Sequence, residues 1–193
     1  MTMKSLSGVV FCGIALVLIV MLTRQTSAQG PAPLDESVVK QGLAIAPVKL
    51  DLRGKNRALV GLGSYIVNAV SECNDCHTRP HYLVGGNPFN GEAELPNALE
   101  HLTGGNQFGP FTSVNLTPDG NGLPAGLTRD EFKALLRTGL TDDHPQFGPL
   151  LQVMPWPTFR KMTDRDLDAI YEYLRAIPSR PDNPNPGECC PDQ

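Results

Sequence analysis

Five consecutive residues, Cys73-Asn74-Asp75-Cys76-His77, decide most of what this chain can become. Two thiols at this spacing lie on one side of a single helical turn, and the imidazole that follows points toward the same side. The pattern is that of c-type haem attachment, in which each thiol adds across a porphyrin vinyl group and the histidine binds the iron. Two covalent bonds and one axial bond then fix a flat ring, and the rest of the chain must fold around it. Thioredoxin-like redox pairs and half zinc sites also use C-x-x-C. A zinc site lacks a second ligand pair here, because beyond the N-terminal stretch the other thiols are the adjacent Cys189 and Cys190. No βαβ pattern surrounds the motif, as a thioredoxin-like fold would require. The reading is therefore one covalent haem c bound through Cys73, Cys76 and His77.

A sixth iron ligand has to come from the opposite face of the ring. Methionine is the usual choice in electron carriers, because its soft sulfur favours ferrous iron and raises the potential. Beyond the N-terminal stretch the methionines are Met154 and Met162. Met162 immediately precedes Thr163 and stands five residues before Leu167, the hydrophobic-staple arrangement at a helix start, which gives it a packing role. Met154 is thus the candidate ligand. It precedes Pro155-Trp156-Pro157, read as a stiff extended strap that holds a thioether at low entropic cost. His81, His101 and His144 are the rival ligands; the last two fall in loops and are expected to be solvated. Trp156 is assigned to the cofactor site, with its indole N–H toward a haem propionate, and ordinary core packing is the competing role.

Lys4 and the apolar run Leu6 to Leu22, followed by Thr26-Ser27-Ala28, read as a signal peptide over residues 1–28, with an uncleaved membrane anchor as the alternative. Either fate places the folded part outside the cytoplasm, in the periplasm. Cys12 lies inside this run as an apolar filler. The chain carries a formal charge of −4, and Lys4 and Arg24 fall within the leader without any acid, so the exported part is more acidic still. Nucleic acid is excluded as a partner, since phosphate binding needs clustered Lys and Arg.

Residues 29–55 read as an N-terminal arm with one short helix near 35–43, wrapping the domain rather than building it. From Asn56 the apolar residues Leu59, Leu62, Ile66, Val67 and Val70 recur at helical spacing and lead into the motif. Residues 79–126 hold two Gly-Gly pairs and repeated prolines, which predict a long irregular loop moulded around something. Thr128 with Glu131, and Thr163 with Asp166, form capping boxes that open two further helices; Gly139 ends the first and Pro178 follows the second. The expectation is a mostly α domain over residues 56–178 with abundant loop, and a Pro-rich tail over 179–193. Adjacent Cys189 and Cys190 would close a strained ring if joined, because neighbouring Cα atoms stand ~3.8 Å apart against a usual ~4.4–6.8 Å. A free pair or an intermolecular bridge is equally compatible with the sequence.

In chain order, Gly63-x-Tyr65-Ile66-Val67, the C-x-x-C-H-T of residues 73–78, Asn115-Leu116-Thr117-Pro118-Asp119, Glu131-Phe132-x-x-Leu135-Leu136-Arg137-x-Gly139, Met154-Pro155 and Thr163-Asp164-x-Asp166-Leu167 resemble one family. It is that of the cytochrome c domains of periplasmic and membrane-bound dehydrogenase complexes, such as the cytochrome subunits of quinoprotein alcohol dehydrogenases. The resemblance spans about Gly61 to Pro178. It implies the class I cytochrome c fold with long loops around one haem, crossing first and last helices, and Met154 as axial ligand. It also implies electron transfer from a dehydrogenase donor to an oxidase or another cytochrome, with no catalysis by this chain. The alternatives are a haem subunit of a larger oxidase or reductase, and a peroxidase-type haem enzyme. Those subunits often carry two or three haem motifs whereas this chain has one, and Pro80 follows the motif sooner than the resemblance leads one to expect.

Overall fold

The computed structural model describes residues 34–142 and 145–189; the expected leader, Cys12, His144 and Cys190 lie outside the described residues. Asp35 accepts from Ser37 N and so starts helix α1, Glu36–Ile45. Asn56 accepts from Ala58 N and Leu59 N to start α2, Arg57–Tyr65, whose last part widens into a π turn over Ile66–Val70. The attachment motif is itself a one-turn helix, α3, Cys73–His77. Helix α4, Arg129–Thr138, has the expected Thr128–Glu131 box and stops at Gly139 with φ 69°, the left-handed cap that glycine adopts without strain. A single turn, α5, spans Trp156–Phe159, and α6 spans Asp164–Ala176 behind the Thr163–Asp166 box.

Helix α2 is packed from both sides at glycines. A Cβ at Gly42 of α1 would lie 1.9 Å from Gly61 O, and one at Gly63 would lie 1.9 Å from Ala169 O of α6. Backbones therefore touch, and the side chains on either side, Val60, Val67, Leu167, Tyr173 and Leu174, are almost fully buried. Phe132 and Leu136 of α4 close the same core. Helix α1 belongs to this core, with Val39 buried and Ser64 Oγ donating to Gly42 O at 2.6 Å, so it builds the helix bundle rather than wrapping it. The segment is short, and its stripe of Val39, Leu43 and Ala46 is interrupted by Gly42, so periodicity alone gave only a short helix.

The architecture is mostly helical with one small sheet that the sequence did not suggest. Strand β1, Asn106–Phe108, pairs antiparallel with β2, Phe111–Thr112, and parallel with β3, Gly187–Glu188. Strands of two or three residues are too short for alternation to be readable. The C-terminal segment is stitched back over the motif: Arg79 Nη1 donates to Glu188 O at 2.6 Å and Nε to Asn185 O at 3.1 Å, while buried Asn183 donates to Arg79 O at 2.6 Å. Among the described residues no helix is long and apolar enough to cross a membrane.

Candidate functional site

The motif turn begins where Glu72 takes a left-handed conformation, φ 52°, which breaks the line of the π turn and re-aims the chain. Cys73 and Cys76 are free thiols on this turn. Burial, reinforced by Cys76, pushes the Cys73 thiol up to about 12, and burial with Asp75 raises that of Cys76. Both are neutral thiols near pH 7, the opposite of the depressed thiolate that a redox C-x-x-C pair uses. Among the described residues no three His, Cys, Asp or Glu side chains converge as a metal set.

His77 is buried, and its Nδ1 stands 2.8 Å from Val114 O. A carbonyl only accepts, so Nδ1 carries the proton and Nε2 keeps its lone pair. Burial also lowers the His77 pKa and holds the ring neutral. The loop supplying Val114 is fastened to the motif at several points. His77 O accepts from Gly104 N at 2.7 Å, and Thr78 Oγ1 accepts from Leu102 N at 3.0 Å. The amide of Asn106 reaches the carbonyls of Asp75, Cys76 and Thr78 at 3.2, 3.0 and 3.1 Å, filling acceptors that the end of α3 leaves open.

Cys73 borders an apolar cavity whose other walls are Val67, Ser71, Leu116, Phe132, Met154, Phe159, Met162, Ile170 and Leu174. Met154 and Met162 thus face the same space, so the staple position of Met162 does not remove it from the site. The strap expected around Trp156 is not extended: Trp156 N donates to Met154 O at 2.8 Å, and the chain turns at once into α5. Pro157 sits in the first turn of that helix, where a missing N–H costs nothing. The indole ring covers Gly139, so that a Cβ there would lie 2.4 Å from it, and Arg160 stands 6.0 Å above the ring centroid.

Two rival ligands are engaged elsewhere. His101, expected to be solvated, is buried, with Nε2 2.9 Å from Tyr173 Oη. His81 Nδ1 lies 2.9 Å from Asp75 Oδ1 and its ring stacks on Tyr82. Cys189 is disulfide-bonded. Asn115 binds Arg180 O at 3.0 Å and Asp182 Oδ1 at 3.2 Å, and so braces the C-terminal segment. Sequence reasoning missed Val114, Asn106 and Leu116. Val114 acts through a backbone carbonyl, which any residue possesses, and no residue-type signal marks it.

This donor set fits haem c: two neutral thiols one turn apart, a neutral histidine whose Nε2 is the available nitrogen, and a thioether facing the same apolar cavity as Cys73. The comparisons point to the same class of protein. The chain is similar to proteins named as cytochrome subunits of gluconate, alcohol and fructose dehydrogenases. It is 31% identical over 119 residues to the gluconate 2-dehydrogenase cytochrome c subunit of Pantoea cypripedii, covering 62% of this chain and 23% of the relative. It is 31% identical over 117 residues to the alcohol dehydrogenase (quinone) cytochrome c subunit of Gluconacetobacter polyoxogenes, covering 61% and 21%. With the fructose dehydrogenase cytochrome subunit of Gluconobacter japonicus the identity is 27% over 119 residues, covering 61% and 22%. The chain thus spans less than a quarter of the length of these relatives. No protein-family model matches it. No solved structure matches it significantly.

Proposed function

We propose that this chain is a single-haem c-type cytochrome of the class I fold that carries electrons from a periplasmic dehydrogenase to a downstream acceptor, an oxidase or another cytochrome. Cys73 and Cys76 would hold a haem covalently, His77 Nε2 and Met154 Sδ would be its iron ligands, and Trp156 would lie beside it. The bound haem supplies reversible one-electron chemistry. The observation that carries this reading is the 2.8 Å bond from His77 Nδ1 to Val114 O, which aims Nε2. Its companion is the apolar cavity shared by Cys73 and Met154.

Each residue has a physical task. The Val114 carbonyl fixes the His77 tautomer and makes Nε2 a better donor. Leu116, Phe132, Ile170 and Leu174 line the cavity and keep water from the iron, which favours the less charged ferrous state. With His77 and Met154 both engaged, a bound haem would supply electron relay and no substrate site, which is the chemistry of a carrier. The relatives' names support a dehydrogenase as donor. Residues 1–28 export the domain, released or tethered, and residues 56–178 form its haem-binding body between the arm and the C-terminal segment.

The two methionines make the test. Met154→Ala should abolish the weak near-infrared sulfur-to-iron band of the oxidised protein and lower its potential, while Met162→Ala should retain the band. The reverse pattern assigns the ligand to Met162, and bis-histidine spectra in the unsubstituted protein remove both methionines from the iron.

A further inference from the structure

Between the two cysteines, Asn74 ends a hydrogen-bonded chain that runs out of the helix core. Its Nδ2 donates to Asn68 Oδ1 at 2.8 Å. Asn68 Nδ2 in turn reaches Tyr173 Oη at 3.1 Å, Ser64 Oγ at 3.0 Å and Ser64 O at 2.9 Å. On the far side, His101 Nε2 lies 2.9 Å from the same Tyr173 hydroxyl. Asn68 stands inside the π turn Ile66–Val70, whose wider winding re-aims its side chain away from the α-helical course. Elements far apart in sequence therefore converge on one residue of the motif: the π turn, α6 and the loop after Thr78.

Such a chain is costly where it lies. Ser64, His101 and Tyr173 are buried, and each polar group there gives up water for one or two partners. A leucine and a phenylalanine would pack the helix crossing without that cost, so packing alone does not account for these residue types. Asn74 Oδ1 is a buried acceptor without a partner among the described residues. The Nδ2 bond to Asn68 is then what sets the Asn74 rotamer, and with it the turn carrying Cys73 and Cys76.

We propose that Asn68, Tyr173 and His101 are positioning residues for the haem attachment turn, acting through Asn74, and that they raise the reduction potential of the bound iron by holding that turn closed to water. This rests on the haem reading above. When a link is removed, the turn relaxes, water reaches the thioether side of the ring, and the more highly charged ferric state gains. Tyr173→Phe keeps the ring and removes the hydroxyl; His101→Leu removes the partner beyond it; His101→Gln restores an amide within reach.

The experiment is a redox titration of purified holoprotein, with haem content and melting temperature measured in parallel. Tyr173→Phe and His101→Leu should keep one haem per chain and lower the potential in common. The expected loss is up to about tenfold in the equilibrium constant against a fixed couple, tenfold being ~59 mV for one electron. The double variant should fall no further than either single one, and His101→Gln should recover most of the loss. Leu167→Ala, a core change outside the chain of bonds, should lower the melting temperature without moving the potential. Unchanged potentials in Tyr173→Phe and His101→Leu, with only the melting temperature lowered, overturn the proposal. Additive losses in the double variant overturn it as well. Absence of covalent haem from the unsubstituted protein is a separate result, which overturns the haem reading itself.

Discussion

Where α2 meets α6 the backbones touch, with Gly63 against Ala169 setting the distance and the Ser64–Asn68–Tyr173 hydrogen bonds lying beside that contact. Around the attachment motif hydrogen bonds to irregular chain prevail: Asn106, Asn183, Arg79 and Thr78 bind its carbonyls and amides. The first region is specified by shape and the second by hydrogen bonds. A close-packed helix crossing tolerates no added volume, whereas a hydrogen-bonded loop tolerates volume but no lost partner. The site is built from both, since the turn holding Cys73 and His77 leaves the helical region and Val114 arrives from the loop.

The sharpest break is therefore Gly63→Val. Its side chain would have to displace the Ala169 backbone, and the loss should reach about 3 kcal/mol or more, read as a large fall in melting temperature or as failure to fold. A melting temperature like that of the unsubstituted protein would show that the two helices do not cross at Gly63. In the loop region, Asn106→Ala keeps the volume small and removes contacts to three carbonyls, for about 2 kcal/mol by denaturant titration. A negligible loss would mean that water replaces the amide there.

The two regions also differ in their response to acid. Burial lowers His101 from the ordinary 6.5 to about 4, with His81 adding to the effect. As pH falls from 6.5 toward 4 the unfolded chain takes up a proton that folded His101 refuses, so stability is full above this window and declines through it. His101→Gln should flatten part of this acid decline, by roughly 1–2 kcal/mol between its ends, in melting curves taken across the window. An unchanged slope would place the acid sensitivity outside the helix core. The smallest effect belongs to the exposed Arg57–Glu36 pair at 3.1 Å, where Arg57→Ala should cost about 0.5 kcal/mol or less and should fade with salt.

The same division explains what could be read from the sequence. The Thr128–Glu131 and Thr163–Asp166 boxes, the Gly139 stop and the helix entering the motif are local devices, and each is legible in the sequence. The place of α1 was not, because its short stripe of Val39, Leu43 and Ala46 says nothing of the close Gly42–Gly61 approach that seats it. Pro155-Trp156-Pro157 looked extended because proline disfavours helix interiors, yet a proline in the first turn starts a helix as readily. His101 looked solvated because its partner, Tyr173, lies 72 residues away. Of the candidate site, Cys73, Cys76 and His77 stand out by their spacing, while Val114 and Asn106 act on or through backbone groups that carry no residue signature.

Covalent haem is the claim on which the rest depends, and one measurement addresses it directly. The purified chain is denatured, extracted with acidic acetone and examined as its pyridine haemochrome. The account predicts haem retained with the protein, one per chain, with the absorption of a ring bearing two thioethers. Haem released into the acetone, or none in the preparation, would contradict it.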